Sequence, residues 1–273
     1  MTRLSVCRFD AARVAIYLLM NETTIPFGEP ELMRASVFQR YLDELARQPG
    51  ATTAVPRLTA LSPSLLADLQ RFEHRPSGTE VLEVLAACLR HAQSVVVHCE
   101  AGGYVVPVTV FPRERLFHCP AEPDTYLLQR LALLKVLRVE PAVLRAPGDS
   151  ESSLVAPLSC YHPIAPLLWE LAMRGSRTEL LPEVAGNACY RTTPGLDLRM
   201  LQIRSVHRAV IRHMRTQPVT LRELTELIGR GREDAVRLLN ALYLQSGLII
   251  SRALPTSSAE SWLANFGLRR RHS

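Results

Sequence analysis

Three short pairings of thiol and imidazole are the residues best placed by type to do chemistry: His98-Cys99, His118-Cys119 and Cys160-x-His162. Four such groups could hold zinc in a tetrahedral site. The first two dipeptides fall on neighbouring strand-like segments. Adjacent residues of a strand face opposite sides, so each dipeptide can offer one ligand to a shared site. The short ligand spacings that mark zinc modules are missing, and no C-x-x-C occurs. The expectation is therefore buried cysteines, half-exposed histidines and no metal. Nucleophile and phosphate motifs are also missing: there is no G-x-S-x-G, H-E-x-x-H, P-loop or G-x-G-x-x-G. Glu100 lies close to His98 and Gly102-Gly103 as an acid or base would, but a hairpin turn asks for those glycines by itself. Trp169 reads as a core anchor. The chain is expected to be non-enzymatic, with no catalytic residue and no cofactor.

Arginine is the other chemistry on offer, because its planar fork binds phosphate. Of the 32 basic residues, Lys135 is the only lysine. With so much Ala and Leu, that bias reads as GC-rich codon usage rather than selection for phosphate. The distribution of charge says more. Residues 197–273 hold 13 arginines against 6 carboxylates, whereas residues 1–196 hold 19 basic and 20 acidic residues. A positive field confined to one part of the chain suits a polyanionic partner.

The elements that must position these groups follow from periodicity. Residues 1–50 predict a helical segment, with helices over 8–20 and 30–47. Residues 51–146 predict a small α+β domain. It holds helices over 62–72 and 81–91, then a meander of strands 94–100, 104–111 and 116–119, with a turn at Ala101-Gly102-Gly103. Pro107 lacks an amide donor, so its strand should be an edge or carry a bulge. Asp124 is expected to cap a long helix over 125–139, stopped by Pro141. Residues 147–153 read as a linker. Residues 154–196 read as a connecting helical and extended segment, with a helix over 163–174, and 255–273 as a basic tail. The fold class is thus α+β. The scattered cysteines, the one short apolar run near the N-terminus (Val14 to Met20) and the lack of any long apolar stretch predict a reduced, cytoplasmic protein with no membrane contact.

Residues 197–254 carry the most specific pattern. A helix from Leu198 to Met214 has Ile203, Val206, His207, Val210, Ile211 and Met214 on one side. Thr220 and Glu223 form a capping box ahead of a second helix that Gly229 stops. Gly229-Arg230-Gly231 turns into a third helix, Arg232 to Gln245, ended by Gly247. Leu248 to Arg252 then begins a strand expected to be a wing. Thr220-Leu221-x-Glu223-Leu224, Gly229, Val236, Leu239, Leu242 and Gly247-Leu248-Ile249 resemble the winged helix-turn-helix family of bacterial regulators. The resemblance covers about a fifth of the chain. It implies double-stranded DNA as partner and transcription regulation as function, with the third helix in a major groove. Arg237 would then face guanine and Asn240 adenine, beside Glu233 and Ala241. Arg230, Arg232 and Arg252 would hold phosphates, as would the stripe of Arg204, Arg208 and Arg212. Glu233 and Asp234, at the start of that helix, oppose this reading. The alternative is an adaptor whose winged helix and α+β domain bind proteins, with a partner on the N-terminal region.

Overall fold

The computed structural model describes residues 32–47, 61–73, 80–148 and 155–252. The helix expected over 8–20, most of the 51–63 connection and the basic tail lie outside these residues. The described chain is mixed α+β and divides into two compact units. One comprises the chain up to Arg177 with Arg199–Gln202; the other comprises Thr178–Leu198 and the chain from Ile203.

In the first unit, helices α1 (Ala35–Arg47), α2 (Pro63–Glu73) and α3 (Val81–His91) precede strands β1 (Val95–Ala101), β2 (Tyr104–Phe111), β3 (Leu116–His118) and β4 (Lys135–Pro141). Strand β5 (Tyr161–Pro163) and helix α4 (Ile164–Arg174) complete it. The strands form an antiparallel sheet in the order β4-β1-β2-β3-β5. Valine-rich alternation makes the β1–β2 hairpin, with Ala101 opposite Tyr104. Gly102 and Gly103 sit at φ of 61° and 88°, the pair of left-handed residues that a tight two-residue hairpin turn requires. Pro107 lies in β2 between its two partners on that side: Met33 and Arg34 reach Val105 and Tyr104, while pairing with β3 starts at Thr109. The proline is thus at a locally open edge, although β2 is central in the sheet. Val81 and Leu85 of α3, and Leu167 and Leu171 of α4, meet Val97, Cys99 and Val108 around a small apolar void. On the other side of β1, His98 meets the ring of Phe38 edge-on at 5.1 Å.

The long helix expected over 125–139 does not form. Asp124–Leu128 is a single π-helical turn, Leu131–Leu133 a 3-10 turn, and Lys135–Pro141 is β4. The open edge of β1 decides this: Lys135 to Pro141 pair with Glu100 to Val95, with a register shift between His98 and Cys99. Leu127 and Leu131 anchor the turns in the core.

Cys99 and Cys119 are fully buried, and burial pushes their thiols up to about 12 and about 11. No three His, Cys, Asp or Glu side chains among the described residues gather as metal ligands. No helix among them is long and apolar enough to cross a membrane. Burial holds His98 and His118 below the usual histidine value; Arg138 adds to this for His98 and His162 for His118, while Glu140 partly opposes it at His98. Unfolded chain, titrating near 6.5, therefore takes up these protons before the native state does. We expect the first unit to lose stability as pH falls from about 7 toward 5, with up to one proton of linkage per histidine. Urea midpoints of the wild type and of His98→Gln/His118→Gln, compared at pH 7 and 5, check this. An identical pH slope in both proteins would refute it.

The second unit contains β6 (Ala188–Thr192), α5 (Ser205–Thr216), β7 (Val219–Thr220), α6 (Leu221–Ile228), α7 (Arg232–Leu244) and β8 (Leu248–Arg252). Its sheet runs β7-β6-β8, all antiparallel. The expected connecting segment 154–196 is therefore divided. Its helix, α4, belongs to the first unit, and its extended part is the central strand of the second. The expected capping box is present: the Glu223 amide donates to Thr220 Oγ1 at 3.3 Å, and the Thr220 amide donates to Glu223 Oε2 at 2.7 Å. Gly229 stops α6 at φ 66°. The left-handed residue after α7 is Ser246 (φ 55°), one position before the Gly247 expected to end the helix. Gly247 is needed for space instead, since a Cβ there would stand 2.4 Å from Leu196. Strand β8 forms over the expected residues and pairs with β6 from upstream; a returning strand of a wing would lie outside the described residues.

Candidate nucleic-acid interface

Helix α5 carries the strongest charge. Its sequence, Ser-Val-His-Arg-Ala-Val-Ile-Arg-His-Met-Arg-Thr, has no carboxylate. His207, Val210, Ile211 and Met214 are buried on one side. Arg204, just ahead of the helix, and Arg208, Arg212 and Arg215 are exposed on the other. Like charges four residues apart destabilise a helix by a few tenths of a kcal/mol per pair. Arg204 and Arg208 also stand at the positive end of the helix dipole. Only Arg204 has a carboxylate near it, Asp234 at 4.0 Å; among the described residues Arg208, Arg212 and Arg215 have no ion-pair partner. The stripe spans about 16 Å at 1.5 Å per residue. Phosphates rise about 3.4 Å each along one strand of a duplex, so it can face several of them. Arg191 of β6 joins the far end, donating to the Arg215 carbonyl at 3.3 Å. It stands in a segment that reads as a connection, so periodicity gave no signal for it.

The turn into α7 adds Arg230 and Arg232, both exposed. Arg230 lies 3.6 Å from Asp234, and Arg232 lies 3.8 Å from Glu179. The two acids that opposed DNA binding are both engaged. His207, buried in α5, meets Asp234 at 2.8 Å and ties α5 to α7. Glu233 is clasped by Arg237 one turn on, at 2.9 and 2.8 Å.

Helix α7 does not present the face expected of it. Asn240 and Ala241 are 1% and 0% exposed. Asn240 Oδ1 accepts from the Leu181 amide at 2.9 Å, and Nδ2 donates to the Glu179 carbonyl at 3.0 Å. Buried Leu181 and Val184 belong to the same covering segment. The helical repeat correctly set one apolar face inward, but the opposite face is covered by chain from far upstream. Asn240 is therefore a packing residue and not a base-reading one. The Arg237 side chain is only 15% exposed and is folded onto Glu233. Arg252 is exposed on β8 and donates to the Glu183 carbonyl at 2.8 Å. The arrangement can neutralise a line of phosphates. It does not offer base-edge hydrogen bonds from the middle of α7.

No family model, curated protein or solved structure shows significant similarity to this chain.

Proposed function

We propose that the second unit is a winged helix-turn-helix module that binds double-stranded DNA mainly through phosphates, and that the protein regulates transcription from that site. The observation that carries this reading is the stripe of exposed arginines on α5, uncompensated by any carboxylate on the helix and extended by Arg230 and Arg232. Contacts of this kind fix position on the duplex and give little sequence preference. The free thiols of Cys88, Cys99, Cys119, Cys160 and Cys189 fit a reducing compartment, which supports a cytoplasmic location.

The adaptor reading draws on a different observation. Leu133, Val143 and Leu158 of the first unit are large apolar side chains left exposed, as a protein partner would need.

The test is binding of random-sequence duplex DNA by the full chain across a salt series. Binding should weaken steeply with salt as arginines release condensed counterions. Arg208→Gln/Arg212→Gln should lower affinity about equally for every sequence and reduce the slope of log K against log salt by about 2. Absence of binding at low salt, or a slope unchanged in the double variant, overturns the DNA reading.

A further inference from the structure

Ser62 stands just ahead of helix α2, and its Oγ accepts from the Leu65 amide at 3.3 Å and caps the first turn. Ser64 follows two residues later and is exposed. Its Oγ lies 3.2 Å from Nδ1 of His91, the last residue of α3. The other ring nitrogen, Nε2, lies 2.8 Å from Oδ2 of Asp68, one turn beyond Ser64 on α2. Arg90 and Arg71 also hold Asp68, the latter at 3.3 Å. Burial works to raise the Asp68 carboxyl, but hydrogen bonds from His91 and Arg90 outweigh it and keep the group below its ordinary value.

With a neutral imidazole these contacts define one arrangement of protons. An ionised carboxylate only accepts, so Nε2 of His91 carries the hydrogen. In the neutral ring Nδ1 then holds the lone pair and accepts the Ser64 hydroxyl, whose other neighbour is Ser62 Oγ at 3.4 Å. A serine hydroxyl donated to an imidazole that a carboxylate orients is the arrangement that activates an alcohol nucleophile. The serine meets Nδ1 here rather than Nε2, which leaves the charge logic unchanged. The imidazole and carboxylate side chains are 18% and 12% exposed, while the serine faces solvent. At the start of α2 Pro63 has no N–H, the Leu65 amide is held by Ser62 Oγ and the Ser62 amide by Gln93 Oε1, so the Ser64 amide is the group left to donate to a developing oxyanion.

We propose that Ser64, His91 and Asp68 form a nucleophilic triad in the first unit that hydrolyses small, unhindered acyl esters. Ser64 Oγ attacks the ester carbonyl as its proton passes to Nδ1 of His91. The tetrahedral adduct collapses, the carbon–oxygen bond to the alcohol breaks, and the leaving alkoxide takes the proton from Nδ1. Water repeats the sequence on the acyl-serine, releasing the acid and restoring the hydroxyl. Ser64 and His91 are the catalytic residues, and Asp68 positions the ring. The guanidiniums on Asp68 offset part of its stabilisation of the imidazolium, so turnover is slow and labelling of the serine is the sensitive readout.

The full chain is treated with a fluorophosphonate probe, which phosphonylates an activated serine and releases fluoride, and the labelled peptide is identified by mass spectrometry. Label should appear on Ser64, disappear in Ser64→Ala, and form at least tenfold more slowly in His91→Gln with an unchanged far-ultraviolet spectrum. Slow hydrolysis of p-nitrophenyl acetate should follow the same order. Label no greater than on heat-unfolded protein, label that survives Ser64→Ala, or a wild-type labelling rate in His91→Gln overturns the proposal. The DNA-binding assay is independent of each of these outcomes.

Discussion

Replacing Arg177 with methionine should destabilise the first unit by about 3–5 kcal/mol, the cost of leaving a buried carboxylate without its counter-ion. Arg177 is 8% exposed and Glu83 only 2%. One nitrogen of the guanidinium, Nη1, donates to Glu83 Oε1 at 2.7 Å and to Glu80 Oε2 at 2.6 Å. Both acids sit at the start of α3, where negative charge is favoured by the helix dipole. That benefit is far too small to hold a desolvated Glu83 side chain alone, since the dipole contributes at most ~2 kcal/mol. The ion cluster as a whole need not be stabilising. Its partners are expensive to separate because both have already lost water. A second variant separates the two statements. Arg177→Met/Glu83→Leu removes the charges together and should recover most of the loss, leaving Glu80, the more exposed acid, to water. Hydrogen exchange on the full chain reads the first unit apart from the second. A single variant within about 1 kcal/mol of wild type, or a double variant no better than the single, contradicts this account.

Local signals were legible and distant ones were not. The β1–β2 hairpin follows from valine alternation around Gly102-Gly103, and the α6 capping box from Thr220 and Glu223 three residues apart. Each is complete within a few residues. The basic stripe could be read in the same way, from Arg204, Arg208 and Arg212 at four-residue spacing. The strand state of Lys135–Pro141 has no such local cause. Leu131, Leu133 and Leu134 just ahead of it favour continuing a helix, and only the open edge of β1 in the folded sheet makes a strand the better use of that segment. The extended state of Ala188–Thr192 could be read locally, but its place as a central strand could not, because its partners β7 and β8 lie beyond α5 in the chain. The Arg237–Glu233 clasp was readable as a four-residue pair and weakens Arg237 as a base reader. The Ser64–Asp68 spacing places two polar groups on one side of α2, but nothing in the sequence joins them to His91, 23 residues beyond Asp68.

The role of Asn240 is set by such distant groups, and it separates packing from recognition within one residue. Its two side-chain bonds reach backbone 59 and 61 residues upstream. Asn240→Leu keeps similar volume but removes the bonds to the Leu181 amide and the Glu179 carbonyl. The Leu181 bond is buried and the Glu179 bond partly so, and each unsatisfied group costs about 1–3 kcal/mol. The expected loss in the second unit is therefore about 2–4 kcal/mol, appearing as faster exchange of the amides around Leu181 and along α7. Asn240→Asp is the sharper probe. Its carboxylate can still accept from Leu181, but it has no donor for the Glu179 carbonyl and meets that oxygen with like charge. It should destabilise more at pH 7 than at pH 4, where a protonated acid can donate again. The recognition reading expects the reverse outcome: little change in stability and loss of a preference for adenine. Wild-type stability in Asn240→Leu, together with altered sequence preference, would restore Asn240 to the DNA interface. Reduced stability, with unchanged relative binding to different duplexes where the variant is folded, keeps Asn240 a packing residue outside the interface.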